Sequence, residues 1–192
     1  MNSPKQAQPK RATIVALTGF MASGKTTVGR HLAKLLRWRF VDLDSEIERR
    51  ARKSVAEIFA AQGEARFREL ETETLRKVLA HAKTPHVIAL GGGTYVQPQN
   101  AELLRSSTAR VVFLELPFEQ LMMRCRAAAD RTLLNPRPLA KDEHSLRALY
   151  DQRLPFYRQA HITANTEGKT PDGVAREIAT VLKLSENAAS KA

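Results

Sequence analysis

Residues 14–27 read Ile14-Val15-Ala16-Leu17-Thr18-Gly19-Phe20-Met21-Ala22-Ser23-Gly24-Lys25-Thr26-Thr27, an apolar run followed by a full match to G-x-x-x-x-G-K-[ST]. Beyond it Val28, Leu32, Leu35 and Leu36 recur at helical spacing, with Arg30, Lys34 and Arg37 elsewhere on the cylinder. A glycine-rich turn between a strand and a helix is the setting in which this signature builds a phosphate-binding loop. The backbone N–H groups of Ala22, Ser23, Gly24 and Thr27 are expected to point at phosphate oxygens, helped by the positive end of the helix. Lys25 is expected to reach the β- and γ-phosphates, and Thr26 to offer its hydroxyl to a magnesium ion bridging them. The stretch therefore predicts a nucleoside triphosphate as ligand.

Outward from this loop, short β-like runs alternate with longer helical patterns: 13–17, 40–41, 87–90, 111–114 and 162–164 against 26–36, 44–51, 54–61, 64–82, 98–105, 118–128, 143–159 and 171–183. That alternation argues for an α/β fold with a parallel sheet of five strands. Ser54 three residues before Glu57 has the form of a capping box, which separates helix 44–51 from helix 54–61. The 192 residues suit a single domain over 12–183, with a disordered tail at 1–11 and a flexible one at 184–192.

Composition narrows the classes. No apolar stretch approaches the roughly 20 residues of a membrane span, and the polar start lacks a secretory core, so a cytoplasmic protein without a membrane partner is expected. Cys125 stands alone, and five histidines without metal-ligand spacing leave no structural metal site in view. The net charge is +11; without the terminal tails, residues 12–182 still carry +7. Aromatics make up 6% and do not interleave with basic residues, so a basic site for small anions accounts for the charge better than nucleic acid does.

Four further stretches bear on chemistry. Phe40-Val41-Asp42-Leu43-Asp44 ends a β-like run in two acids, which extended geometry points the same way, toward the crevice beyond the strand ends. One suits magnesium through water and the other a substrate hydroxyl; the competing role for Asp44 is to cap the next helix. Val87-Ile88-Ala89-Leu90-Gly91-Gly92-Gly93 runs a buried-type strand into three residues without side chains, where a ligand can approach the backbone. Gly63-Glu64-Ala65-Arg66-Phe67-Arg68-Glu69 opens a charged helix whose arginines, by themselves, read as solvated. Residues 124–141 hold Arg124, Arg126, Arg131 and Arg137 with Pro136 and Pro138, and read as a basic loop: a mobile lid over a nucleotide, or a disordered segment.

Taken together these motifs resemble the shikimate kinases. The phosphate loop, Asp42-x-Asp44, Gly63-Glu64-x-x-Phe67-Arg68, Gly91-Gly92-Gly93, Arg137-Pro138-Leu139 and Arg153-x-Pro155-x-Tyr157 stand in family order over about 12–183. The resemblance implies a three-layer P-loop kinase fold like that of nucleoside monophosphate kinases, with a substrate-binding region at about 44–70 and a lid at about 124–141. It implies transfer of phosphate from ATP to the 3-hydroxyl of shikimate, with Mg²⁺, in the chorismate pathway to aromatic amino acids. It further implies that Asp44 binds the acceptor hydroxyl, and that Arg68 and Arg153 clamp the carboxylate, with the backbone of Gly91–Gly93 assisting. Lys25 and Arg137 would meet the phosphates, Asp42 and Thr26 would hold magnesium, and Pro171 would lie near the adenine. Family members favour a monomer. The chain departs from the family in the lid, where Asp130 replaces a common basic residue and Arg131 beside it is the substitute. Two rivals stay open: a gluconate kinase of the same fold, against which the joint presence of the second, fourth and sixth motifs argues, and a nucleic-acid-binding P-loop protein, whose binding would fall steeply with salt.

Overall fold

Every residue of Ile14–Thr18 (β1) is buried, with Val15 and Leu17 in the core on one face of the sheet and Ile14 and Ala16 in the core on the other. A strand covered on both faces reads as a continuous apolar run because neither face meets water. The computed structural model describes residues 14–80, 84–131 and 142–184. The remaining elements are Lys25–Leu36 (α1), Arg39–Asp42 (β2), Leu43–Ala51 (α2), Val55–Ala80 (α3), His86–Ala89 (β3), Pro98–Ser106 (α4), Ala109–Glu115 (β4), Phe118–Arg131 (α5), Glu143–Tyr157 (α6), Ile162–Asn165 (β5) and Pro171–Val181 (α7).

The five strands are parallel and ordered β2-β3-β1-β4-β5, with Ile14 level with both His86 and Ala109. Helices α1 and α7 cover one face through Val28, Leu32, Val174 and Ile178. Leu43, Ile58, Phe67, Leu75 and Leu104 from α2, α3 and α4 cover the other. Phe118 and Leu121 of α5 and Leu146 and Tyr150 of α6 pack with Phe20 and Phe113 in a third cluster beside the sheet. The expected three-layer α/β fold is present, and β1 delivers the phosphate loop at the centre of the carboxyl edge, where open parallel sheets bind ligands. None of the described helices is long and apolar enough to cross a membrane.

Local signals explain most boundaries. Glu57 N donates to Ser54 Oγ (3.2 Å) while Ser54 N donates to Glu57 Oε2 (2.6 Å), a closed capping box that starts α3 apart from α2. The helices expected at 54–61 and 64–82 run on as α3 across a break at Gly63 (φ 76°, ψ 176°), a conformation that only glycine adopts without strain. The helix expected at 118–128 is present and runs on to residue 131 as α5, because Ala127-Ala128-Ala129 is a good helix-forming run. Of the two overlapping expectations for Arg124 and Arg126, the helix holds and the start of the basic loop at 124 does not. The rest of the expected lid, residues 132–141 with Arg137, lies outside the described residues, as do both tails and the end of helix 64–82.

Candidate active site

The phosphate loop spans the end of β1 and the first turn of α1. Lys25 Nζ donates to the carbonyls of Gly19 (2.9 Å) and Phe20 (2.8 Å), which holds the ammonium folded over the loop. Ala22 takes a left-handed φ of 59°, rare for a residue with a Cβ and common where backbone strain serves a ligand site. Thr26 Oγ1 donates to Asp42 Oδ2 at 2.7 Å, and Asp42 Oδ1 accepts from Ser45 N at 3.3 Å. The two acids of Asp42-x-Asp44 are therefore not side by side on a strand. Asp42 ends β2 and caps α2, whereas Asp44 sits in the first turn of that helix and faces another cavity. The capping role that competed for Asp44 belongs to Asp42, since the strand stops two residues sooner than the extended reading requires.

That second cavity, of about 550 Å³, is lined by Asp44, Phe59, Phe67, Arg68, Arg153 and Gly91–Gly93. It adjoins the phosphate loop: a Cβ placed on Gly92 would lie 3.9 Å from both Gly19 O and Met21 N. At Gly91 and Gly93 the ends of neighbouring side chains stand where a Cβ would go. A Cβ on Gly91 would come within 2.7 Å of Asp44 Oδ1, and one on Gly93 within 2.7 Å of two Arg68 nitrogens.

Arg68 is not the solvated arginine that its motif alone suggested; its side chain is 13% exposed. Nη1 donates to Glu71 Oε2 (3.0 Å), while Nη2 (3.0 Å) and Nε (3.2 Å) donate to Glu64 Oε1. Glu71 and Thr94 are both 0% exposed, and Thr94 Oγ1 donates to Glu71 Oε1 at 2.6 Å. Burial pushes the Glu71 carboxyl up and the charge of Asp44 adds to this, while Arg68 and the Thr94 hydroxyl oppose it. Behind the glycine turn Tyr157, fully buried and stacked on Phe113 at 5.3 Å, donates its hydroxyl to Gly92 O. Desolvation pushes the Tyr157 phenol up to about 12 against the opposing charge of Arg153. Glu71 and Thr94 escaped the sequence reading. A signal existed: Glu71 sits at the four-residue spacing of Phe67 and Leu75, an acid on a buried stripe.

A third recess, of about 560 Å³, runs from Ala22, Ser23, Gly24 and Thr27 to Arg124, Thr166, Lys169 and Pro171. Thr166 donates through N (3.0 Å) and Oγ1 (3.1 Å) to Glu115 O, which ties the turn after β5 to the end of β4. Pro171 opens α7 as its first residue. Arg124 Nη1 reaches Ala22 O at 3.5 Å, so this arginine, given no role in the sequence beyond a basic loop, borders the phosphate loop from α5. Arg131 is the last residue of α5.

A phosphate loop at the centre of a parallel sheet's carboxyl edge, with a cavity lined by two arginines and an aspartate on one side and a recess on the other, is the arrangement of a P-loop kinase. The family model described as shikimate kinase matches residues 21–183. A shikimate kinase of Moorella thermoacetica is 41% identical over 169 residues, 88% of this chain and 94% of that protein, and one of Thermus thermophilus is 39% identical over 171 residues, 88% and 90%. A solved structure of shikimate kinase from Acinetobacter baumannii in complex with shikimate superposes with a TM-score of 0.79 at 36% identity, over 88% of this chain and 93% of that one. The chain belongs to the shikimate kinase family, and its activity is the family's, phosphorylation of shikimate by ATP.

Proposed function

We propose that the cavity of Asp44, Arg68 and Arg153 seats shikimate, and that the 3-hydroxyl is the acceptor of the γ-phosphoryl group. The observation that carries this reading is the convergence of two arginines and one aspartate beside a glycine turn that abuts the phosphate loop. Arginine suits a carboxylate because its planar fork binds both oxygens. With the carboxylate held by Arg68 and Arg153, Asp44 in the same cavity receives the ring hydroxyls and orients the acceptor oxygen toward the phosphate loop. A loose phosphoryl-transfer transition state needs little prior deprotonation, so orientation is the larger part of what Asp44 does, and its carboxylate takes the proton as the bond forms. Lys25 exchanges its carbonyl partners for phosphate oxygens, and the backbone of Ala22–Thr27 cradles them. Thr26 and Asp42 present a hydroxyl and a carboxylate 2.7 Å apart, an oxygen donor set that suits Mg²⁺, which neutralises phosphate charge when bound. Arg124 and Pro171 flank the recess for adenine, and Arg131 and Arg137 bring lid charge to the phosphates. The protein acts as a monomer in the cytoplasm, without nucleic acid.

The test is ADP release with ATP and magnesium in the presence of shikimate, gluconate or no acceptor, alongside Asp44→Ala. Shikimate-dependent release that collapses in the variant supports the reading. Release with gluconate alone moves the activity to the sibling kinase, and acceptor-independent release makes the cavity irrelevant to turnover.

A further inference from the structure

Arg68 is useful only if its guanidinium waits in one place, and a long side chain has to be held there. Glu71 holds it from within the protein, through one carboxylate oxygen; the other oxygen of Glu71 accepts, among the described residues, from the Thr94 hydroxyl at 2.6 Å. The same residue closes the glycine turn, since Thr94 N donates to Gly91 O at 3.1 Å. Thr94 thus joins the two halves of the cavity that meet a carboxylate, the backbone of Gly91–Gly93 and the Arg68 fork from α3. The backbone bond to Gly91 needs no hydroxyl, and alanine would satisfy it; the fully buried hydroxyl of Thr94 goes to Glu71.

We propose that Thr94 is a positioning residue for the substrate carboxylate, fixing the Glu71 rotamer so that Arg68 is pre-aimed into the cavity. The inference rests on the seating of shikimate proposed above. Without the hydroxyl, Glu71 Oε1 is left buried and unpartnered, and a carboxylate in that position turns away or takes up a proton. Either change loosens its grip on Arg68. Glu64 still holds Nη2 and Nε, but from an exposed position where a carboxylate is readily displaced. Asp44 on α2 is the other charge that faces Glu71, and it favours the same loss of ionisation.

The experiment compares the parent enzyme with Thr94→Val, Thr94→Ala and Thr94→Ser in steady-state kinetics, and measures the dissociation constants of shikimate and of its uncharged methyl ester. In the valine and alanine variants the KM for shikimate is expected to rise about tenfold. The KM for ATP should stay within about twofold, and the preference for shikimate over the ester should shrink by the factor lost in KM. Serine, which keeps the hydroxyl, should restore parent values. Equal weakening of acid and ester, a serine variant as poor as valine, or parent-like valine and alanine variants each overturn the inference. If valine is too poorly folded to assay, alanine carries the same comparison. Failure of the parent to release ADP with shikimate would instead overturn the seating itself, a result that the variants cannot mimic.

Discussion

Arg68 and Glu71 are a pair whose worth depends on context. Buried ion pairs contribute little net stability, yet breaking one by removing a partner is costly because a charge is left without a counterpart. Here the pair serves geometry. Arg68→Lys keeps the charge but loses the fork, so the KM for shikimate should rise by about ten- to a hundredfold while the KM for ATP holds, as initial-rate kinetics will read. Glu71→Gln keeps the shape and removes the charge, and should raise the same KM. Because both act through one guanidinium, the double variant should cost less than the two losses combined, with about 0.5–3 kcal/mol of coupling in a double-mutant cycle. Additive effects would separate the two residues functionally. Lys25 and Thr26 were singled out by the spacing of the phosphate-loop signature, whereas Asp44 was singled out only as one of two acids and took its expected role from the family resemblance. Glu71 and Thr94 were not legible, because a buried acid and a buried hydroxyl acquire meaning only once the fold buries them together, 23 positions apart in the chain.

Helix α3 carries the cavity on both sides of its break. Phe59 precedes Gly63, and Phe67, Arg68 and Glu71 follow it, so the angle at one glycine sets the distance between an apolar wall and a charged one. A Cβ at Gly63 meets no atom within 4 Å, and the obstacle to substitution is the backbone conformation itself. Gly63→Ala should therefore cost about 1–3 kcal/mol, or straighten the helix. It should lower the melting temperature by several degrees and raise the KM for shikimate more than that for ATP. Ser54→Ala opens the capping box at the start of the same helix, and should cost about 1 kcal/mol in stability without that kinetic asymmetry. Thermal unfolding and kinetics on the two variants will separate cap from break. The capping box could be read from the chain because its partners are three residues apart. In the sequence a helix at 118–128 overlaps a basic loop counted from residue 124, because clustered arginines and two following prolines resemble a loop; the three alanines carry the helix on to residue 131.

Across the molecule, the parallel sheet sets the response to pH and to ligands. Val111 N of β4 donates to His161 Nδ1 at 3.0 Å just before β5 begins, which a protonated ring cannot accept. Desolvation and then the charge of Arg110 hold the His161 pKa below the ordinary histidine value. The unfolded chain then binds a proton more readily than the folded one, so this contribution is complete above the unfolded pKa, near 6.5, and is lost as pH falls from there through the folded value. The melting temperature should fall between about pH 7 and pH 5, and less steeply in His161→Ala; parallel curves would remove His161 from the effect. Shikimate at a hundred times its dissociation constant should stabilise the fold by about 2.7 kcal/mol, and Arg153→Ala should cut the shift to about 1 kcal/mol or less at the same concentration. The chain by itself specified the phosphate loop, the strand and helix alternation, the capping box and the order of its motifs, because each depends on neighbours within a turn or a strand. The strand order β2-β3-β1-β4-β5, the separation of Asp42 from Asp44, the approach of Arg124 to Ala22 and the Thr94–Glu71–Arg68 relay had to await the fold. The contacts of Arg124 with Ala22 and of Thr94 with Glu71 join residues 102 and 23 positions apart, which only the burial that packs helices onto the sheet brings within hydrogen-bonding distance. Asp42 and Asp44, by contrast, part because the chain passes from strand to helix between them.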